Sequence, residues 1–184
     1  EIAYFAGPAR VIMGIRDLQG QTGQEELFNS LVLLDQTGAV TTRYDKHHLV
    51  PFGEYIPFAA WLAQFDIGPM TAENLFGFSA GPGPKLVQDA GIPPFLPLIC
   101  YEAIFPGAMQ APQGRAEWLV QVTNDAWFGK LTGPYQHLAQ ARMRAVEEGL
   151  PVLRATTTGR SAVIDADGVV RQYLPGGGAG RRGA

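Results

Sequence analysis

The chain has 184 residues, with 14 Lys plus Arg against 17 Asp plus Glu and a net charge of −3, so no basic field is available to hold a nucleic-acid backbone. Hydrophobic residues make up 46%, enough for one globular domain with a sizeable core. Charged residues make up only 17%, against about 25% in an average soluble domain, which excludes a disordered charged chain and suggests a surface that faces something besides water.

Val11–Ile15 is a short apolar run that predicts a buried strand, and Phe28–Asp35 predicts a second. Gln36-Thr-Gly38 signals a turn, and Ala39–Tyr44 reads as the returning strand of a hairpin. Lys46–Pro57 holds Pro51, Gly53 and Pro57 and reads as a loop. Phe58–Phe65 suits a short helix, and Gly77–Pro84 is rich in turn residues. Phe95–Cys100 is an apolar strand with an irregular, proline-bearing start. Tyr101–Met109 suits a short helix broken by Pro106, and Trp118–Thr123 is another strand. Gly133–Gly149 is the clearest helix: Leu138, Ala141, Ala145 and Val146 form its apolar stripe, and Gly149 and Pro151 stop it. Val152–Thr157 and Ser161–Asp165 predict strands. Asp165-Ala-Asp-Gly168 turns the chain into Val169–Tyr173. Hairpins together with strand–helix units indicate a mixed α/β sandwich over residues 1–173, and the glycine-rich stretch 174–184 reads as a disordered tail. The start at Glu1, without a Met, reads as the cut edge of a longer protein, and no apolar run reaches the roughly 18 residues of a membrane span.

Cys100 is the single cysteine, which excludes an intrachain disulfide and a four-cysteine zinc site. It ends an apolar strand just before a turn, a place that suits a thiolate nucleophile, although by position alone a lone cysteine is more often a small buried hydrophobe. Glu102 brings a carboxylate against that strand, where it either serves a function, points to solvent or caps the turn. Lys46 closes a strand eight residues before Glu54. An ammonium there stabilises a thiolate and then an oxyanion, with Glu54 to orient it, whereas a Lys and a Glu in a loop are otherwise ordinary solvated charges. His47, His48 and His137 match no zinc spacing, while a Cys–His dyad stays open because its partners need only meet in space. Asn124-Asp-Ala-Trp-Phe-Gly129 follows a strand and offers Trp127 as one wall of a pocket; as a merely packed loop, it would have Asn124 and Asp125 satisfy their own backbone.

Three segments together resemble the carbon–nitrogen hydrolase (nitrilase) superfamily: Tyr44-Asp-Lys-His-His-Leu-Val-Pro-Phe-Gly-Glu-Tyr-Ile-Pro57, Ile99-Cys-Tyr-Glu102 and Asn124-Asp-Ala-Trp-Phe-Gly-Lys130. Gly133-Pro-Tyr-Gln-His137, Ala141-Arg-Met-Arg-Ala145 and Arg154-Ala-Thr-Thr-Thr-Gly159 are similar to one branch of it, the bacterial apolipoprotein N-acyltransferases. The resemblance implies a four-layer αββα sandwich, here incomplete at both ends, and a Glu–Lys–Cys trio. Cys100 matches the nucleophile, Lys46 the lysine and Glu54 a second glutamate beside it. Tyr101 and Glu102 match the residues after the nucleophile, and Trp127 an aromatic of the active site. The family's general-base glutamate sits in a Trp-Pro-Glu type motif ahead of the strand at Val11–Ile15, and no such motif occurs in this sequence. The chain is therefore expected to lack that base, and to lack the membrane helices that flank the domain in this branch. The implied reaction moves an acyl chain from a phospholipid through a Cys100 thioester to the amino group of diacylglyceryl-cysteine in an apolipoprotein. It needs no metal or other cofactor, and it takes place on the extracytoplasmic side of the bacterial plasma membrane. Two rivals use the same residues differently: a soluble nitrilase-type amidase with water as acceptor, and a nitrilase-like binding module without catalysis.

Overall fold

Apolar runs interrupted by Gly and Pro give short strands joined by tight turns, and a computed structural model describes them over residues 6–21, 25–58, 77–89, 91–107, 111–129 and 131–174. The chain forms two compact units, Glu1–Gly83 and Pro84–Ala184.

In the first unit, β1 (Val11–Gln19), β2 (Glu26–Leu34) and β3 (Val40–Asp45) make an antiparallel sheet in the order β1-β2-β3. The central strand is the apolar one: Phe28, Leu31, Val32, Leu33 and Leu34 are all buried. β1 is longer than its five-residue apolar run suggests, because Val11 through Gln19 pair without a break with Leu34 through Glu26. Its residues are only partly covered, so β1 is a half-buried strand and not the buried one expected. Asp35 closes the β2–β3 turn by accepting the N–H groups of Thr37 and Ala39 and the Thr37 hydroxyl.

In the second unit, β4 (Val87–Asp89), β5 (Ile92–Ile99), β6 (Trp118–Thr123), β7 (Val152–Thr156), β8 (Ser161–Ile164) and β9 (Val170–Leu174) form a sheet in sequence order. β5, β6 and β7 are parallel and the other pairings are antiparallel. Parallel neighbours need a crossover, and helix α1 (Gly133–Glu148) supplies the one between β6 and β7. Pro134 suits its first turn, where the missing N–H costs nothing. Gly149 ends it in the left-handed conformation, donating its N–H to the Ala145 carbonyl. Leu138, Ala141 and Ala145 face the core as expected, together with Leu96, Leu98, Leu119, Val152 and Ile164. Val146 does not: it is 57% exposed. At 100° per residue it lies about 80° around the helix from Leu138, beyond the buried stripe.

The expected helix after Cys100 is a short 3-10 helix, Cys100–Ile104, and Phe105 is already extended. Leu174 is the last residue of β9, so the predicted tail begins one residue too early. The remainder of that tail, and the predicted helix at 58–65 beyond Phe58, lie outside the described residues. No helix among the described residues is long and apolar enough to cross a membrane.

The sheet core of the second unit includes Leu119, which is fully buried near the start of β6, between β5 and β7. Leu119→Ala is expected to cost about 2–5 kcal/mol of unfolding free energy, read from urea denaturation, because the strands on both sides limit collapse into the cavity.

Candidate active site

In the first unit the chain leaves β3 at Asp45, and Lys46 follows directly. Its N–H donates to the Asn29 carbonyl at 2.9 Å and its carbonyl accepts from the Gly81 N–H at 2.8 Å, so the backbone is pinned on both sides. The side chain is 0% exposed, and Nζ lies 2.5 Å from Glu54 Oε2. Glu54 sits in the turn Val50–Tyr55, with its N–H bonded to the Val50 carbonyl at 2.8 Å. Its Oε2 also accepts the Val50 N–H at 2.8 Å, and its Oε1 accepts from Asn29 Nδ2 at 2.9 Å. The alternative of two solvated loop charges is thereby overturned. An ammonium this deep must be paired, and the carboxylate that pairs it is itself fixed by a backbone N–H and an amide. Asn29 completes this cluster and was not a sequence candidate; a polar residue inside the apolar run of β2 was the signal for it. His47 bonds the Tyr44 hydroxyl through Nδ1 at 2.7 Å and its ring stands 4.4 Å from that of His48.

In the second unit Cys100 follows β5 and opens the 3-10 helix with φ +50°. That backbone conformation is uncommon for a residue with a side chain and costs on the order of 1–3 kcal/mol, so the surroundings must hold it. They do so from two sides. Glu102 is fully buried and accepts the Ile99 N–H at 2.8 Å, which overturns a solvent-facing carboxylate and makes it the cap of the turn. The Cys100 carbonyl lies 3.1 Å from Gln121 Nε2 and 3.1 Å from His137 Nε2. The Tyr101 ring packs edge-on against Phe105 at 5.0 Å.

Behind Gln121 and His137 lies a buried polar network. Leu98 on β5 is in register with Gln121 on β6, and Gln121 with Arg154 on β7, so one row across the parallel strands carries Arg154 to this place. Arg154 Nη1 donates to Gln121 Oε1 at 2.5 Å, Nη2 to Asp125 Oδ2 at 2.6 Å and Nε to the Arg160 carbonyl at 3.2 Å. His137 Nδ1 is 2.8 Å from Asp125 Oδ1. Gly159 passes so close to the Asp125 carboxylate that a Cβ there would collide with it. Burial pushes the Asp125 pKa up, but the hydrogen bond from His137 and then the charge of Arg154 outweigh it, and the carboxyl lies below its ordinary 3.8. Burial lowers the Arg154 pKa, and the negative charges of Asp125 and of an ionised Cys100 oppose that fall. An ionised Asp125 only accepts, so His137 Nδ1 carries its proton toward it.

Asn124 satisfies its own loop as expected, accepting from the Ala126 N–H and the Thr158 hydroxyl. The Asp125 carboxylate does not turn back on its own backbone: it accepts from Arg154 and the Thr123 hydroxyl and pairs with His137. Trp127 is 75% exposed, while its neighbour Phe128 stacks at 5.1 Å on the His137 ring. No group of three His, Cys, Asp or Glu able to hold a metal occurs among the described residues. The residues that sequence reasoning passed over as site members are Gln121, Asp125, His137 and Arg154. The available signal was Gln121 itself, a polar residue in the middle of Leu-Val-Gln-Val.

Cys100 thus stands at the end of a parallel strand of an α/β sheet, over a buried polar network, and comparison with known proteins defines the family of this fold. The chain belongs to the carbon–nitrogen hydrolase family, which it matches over residues 9–175, and its fold is the α/β sandwich of nitrilase type. A carbon–nitrogen hydrolase from Helicobacter pylori G27 superposes with a TM-score of 0.68 at 18% identity, over 94% of this chain and 61% of that one. Within the family the chain is similar to the apolipoprotein N-acyltransferase of Bradyrhizobium diazoefficiens, at 48% identity over 152 residues, covering 83% of this chain and 28% of that protein. It is also similar to that of Brucella suis, at 42% over 174 residues, covering 88% of this chain and 32% of that protein. The chain thus spans less than a third of the length of these curated relatives.

The Asp125–Arg154 pair makes stability pH-dependent with a definite sign. A carboxyl whose pKa is lowered by folding contributes in full above its unfolded value near 3.8, and the contribution fades as pH falls through the lower folded value. Asp125→Asn, which leaves a buried guanidinium without its counter-charge, is expected to lose about 3–5 kcal/mol at pH 7. Below pH 3.8 the gap between wild type and variant should narrow. Urea midpoints across pH 2–7 check both, and equal midpoints at pH 7 refute the pairing.

Proposed function

We propose that this chain is the acyl-transferring part of an apolipoprotein N-acyltransferase, in which Cys100 carries the fatty acyl group. The single observation that supports this best is the 48% identity over 83% of the chain to a protein of that name. In the first half-reaction Cys100 Sγ, as thiolate, attacks the ester carbonyl of a phospholipid. The C–S bond forms, the C–O bond breaks, and the lysophospholipid alkoxide leaves and takes up a proton. In the second, the α-amino group of diacylglyceryl-cysteine attacks the thioester; the amide N–C bond forms, the thiolate departs and the amine gives up a proton. A thiolate is a strong nucleophile and a thioester yields readily to an amine, so one side chain serves both steps.

Lys46 takes the role the family resemblance gives it, an ammonium that stabilises the oxyanion together with the Tyr101 N–H; Glu54 orients it. The low charged fraction and an exposed Trp127 suit a protein that handles lipid, and Trp127 and Tyr101 are assigned to substrate binding; Glu102, expected beside them, is fully buried and instead supports the turn that carries Cys100. The acceptor lies outside the cytoplasm on the plasma membrane of a bacterium. Transfer to water in place of the amine would make the protein an amidase-like hydrolase, and the products of the assay below separate the two.

Mass spectrometry of the full-length protein after incubation with phospholipid tests the assignment. The expected adduct is one acyl chain on Cys100, absent from Cys100→Ala, and discharged by a diacylglyceryl-cysteine peptide to give the N-acyl peptide. An adduct that persists in Cys100→Ala, or discharge only to free fatty acid, overturns it. Lys46→Ala should lower the transfer rate by about 10²–10³ per folded molecule. The burial of Lys46 means that this variant also loses stability, so the folded fraction has to be measured beside the rate. Trp127→Ala should slow turnover of long-chain lipid more than alkylation of Cys100 by iodoacetamide; equal losses would assign Trp127 to packing.

A further inference from the structure

The peptide that joins Cys100 to Tyr101 has two ends, and the structure engages one of them from behind. It is trans, as are all the described peptides, so its C=O and N–H are coplanar and point in opposite directions. Whatever fixes the Cys100 carbonyl therefore fixes the direction of the Tyr101 N–H. Two side chains on different elements reach that one oxygen: Gln121 Nε2 from β6 and His137 Nε2 from α1, each at 3.1 Å. Neither is free to turn. Gln121 Oε1 is held at 2.5 Å by Arg154 Nη1, which forces its NH₂ toward Cys100, and His137 is held through Nδ1 by Asp125 at 2.8 Å. Gln121 is a donor to the carbonyl whatever the state of the imidazole. His137 Nε2 adds a second donor to the same oxygen when protonated and accepts from Gln121, 3.1 Å away, when neutral.

We propose that Gln121 and His137, backed by Arg154 and Asp125, are positioning residues that aim and polarise the Cys100–Tyr101 peptide, so that the Tyr101 N–H faces the oxyanion formed on the acyl group. This rests on Cys100 being the nucleophile. Hydrogen bonds donated to a carbonyl withdraw electron density through the amide and strengthen the N–H at its other end, and in a low-dielectric interior the chain from the Arg154 guanidinium through Gln121 reinforces itself. The same contacts hold Cys100 at φ +50°, a conformation that nothing in its own side chain favours. Such a device contributes in the transition state, when charge has collected on the oxyanion, and little in the ground state.

Two reactions of the same thiol separate this role from general support of the fold. Acylation by phospholipid passes through a tetrahedral oxyanion, whereas alkylation by iodoacetamide is a direct displacement and forms none. In the full-length protein, both single-turnover rates are measured at one and the same pH, and their ratio in each variant cancels the thiolate fraction that the two reactions share. Gln121→Leu is expected to lower the acylation rate about ten-fold or more, leave alkylation within about two-fold, and leave the half-saturating lipid concentration unchanged. Because Gln121→Leu strands Arg154 Nη1 and risks misfolding, His137→Leu and His137→Gln form a second test. His137→Gln keeps an amide donor near the Nε2 position and should retain several-fold more acylation than His137→Leu. Parallel loss of both reactions in the folded variants, or no loss of acylation, overturns the proposal. An acyl adduct that survives Cys100→Ala would instead show that the assignment of the nucleophile is at fault.

Discussion

The side chain of Arg154 is 0% exposed, and a charge that deep costs several kcal/mol unless it is met on every side. Much of the second unit is arranged to meet it. β6 supplies the amide oxygen of Gln121, the loop after β6 supplies the Asp125 carboxylate, and the turn after β7 supplies the Arg160 carbonyl. His137 ties α1 to the same carboxylate, and the close passage of Gly159 leaves no room for Asp125 to swing away. The requirement of one buried charge thus fixes two loops, a helix and the amide that grips Cys100.

A second buried charge is handled differently in the first unit. Among the described residues Lys46 has one carboxylate partner, Glu54, and that carboxylate also accepts from the Val50 N–H and the Asn29 amide. The Arg154 network distributes a charge over several acceptors and ends on a backbone carbonyl; the Lys46 cluster concentrates it in one pair. A planar, permanently charged guanidinium suits the first task, and a compact ammonium able to present itself as a point charge suits the second.

The sequence disclosed those parts that follow from local pattern. α1 was legible from its stripe and from Gly149 and Pro151, β6 from its apolar run, and Cys100 from its place at a strand end. Lys46, Glu54, Glu102 and Trp127 were singled out through family motifs, but the burial of Lys46 and Glu102 was not legible: nothing local tells a solvated lysine from one enclosed to 0% exposure. The Gln121–Asp125–His137–Arg154 network was invisible for a physical reason. Its members lie up to 33 residues apart and meet through the parallel register of β6 with β7 and the packing of α1, neither of which hydrophobic periodicity encodes. Val146 erred the other way, since an apolar residue one step past the stripe looks like core until the helix is docked.

The most direct measurement is the geometry of residue 100 when its carbonyl loses its donors. A crystal structure of Gln121→Leu combined with His137→Leu would show it. The account predicts that Cys100 leaves φ near +50°, or that the Cys100–Tyr101 peptide rotates and carries the Tyr101 N–H away from the thiol side. An unchanged φ and peptide orientation in that variant would contradict it, and would mean that Glu102 and the strand end alone set the conformation of Cys100.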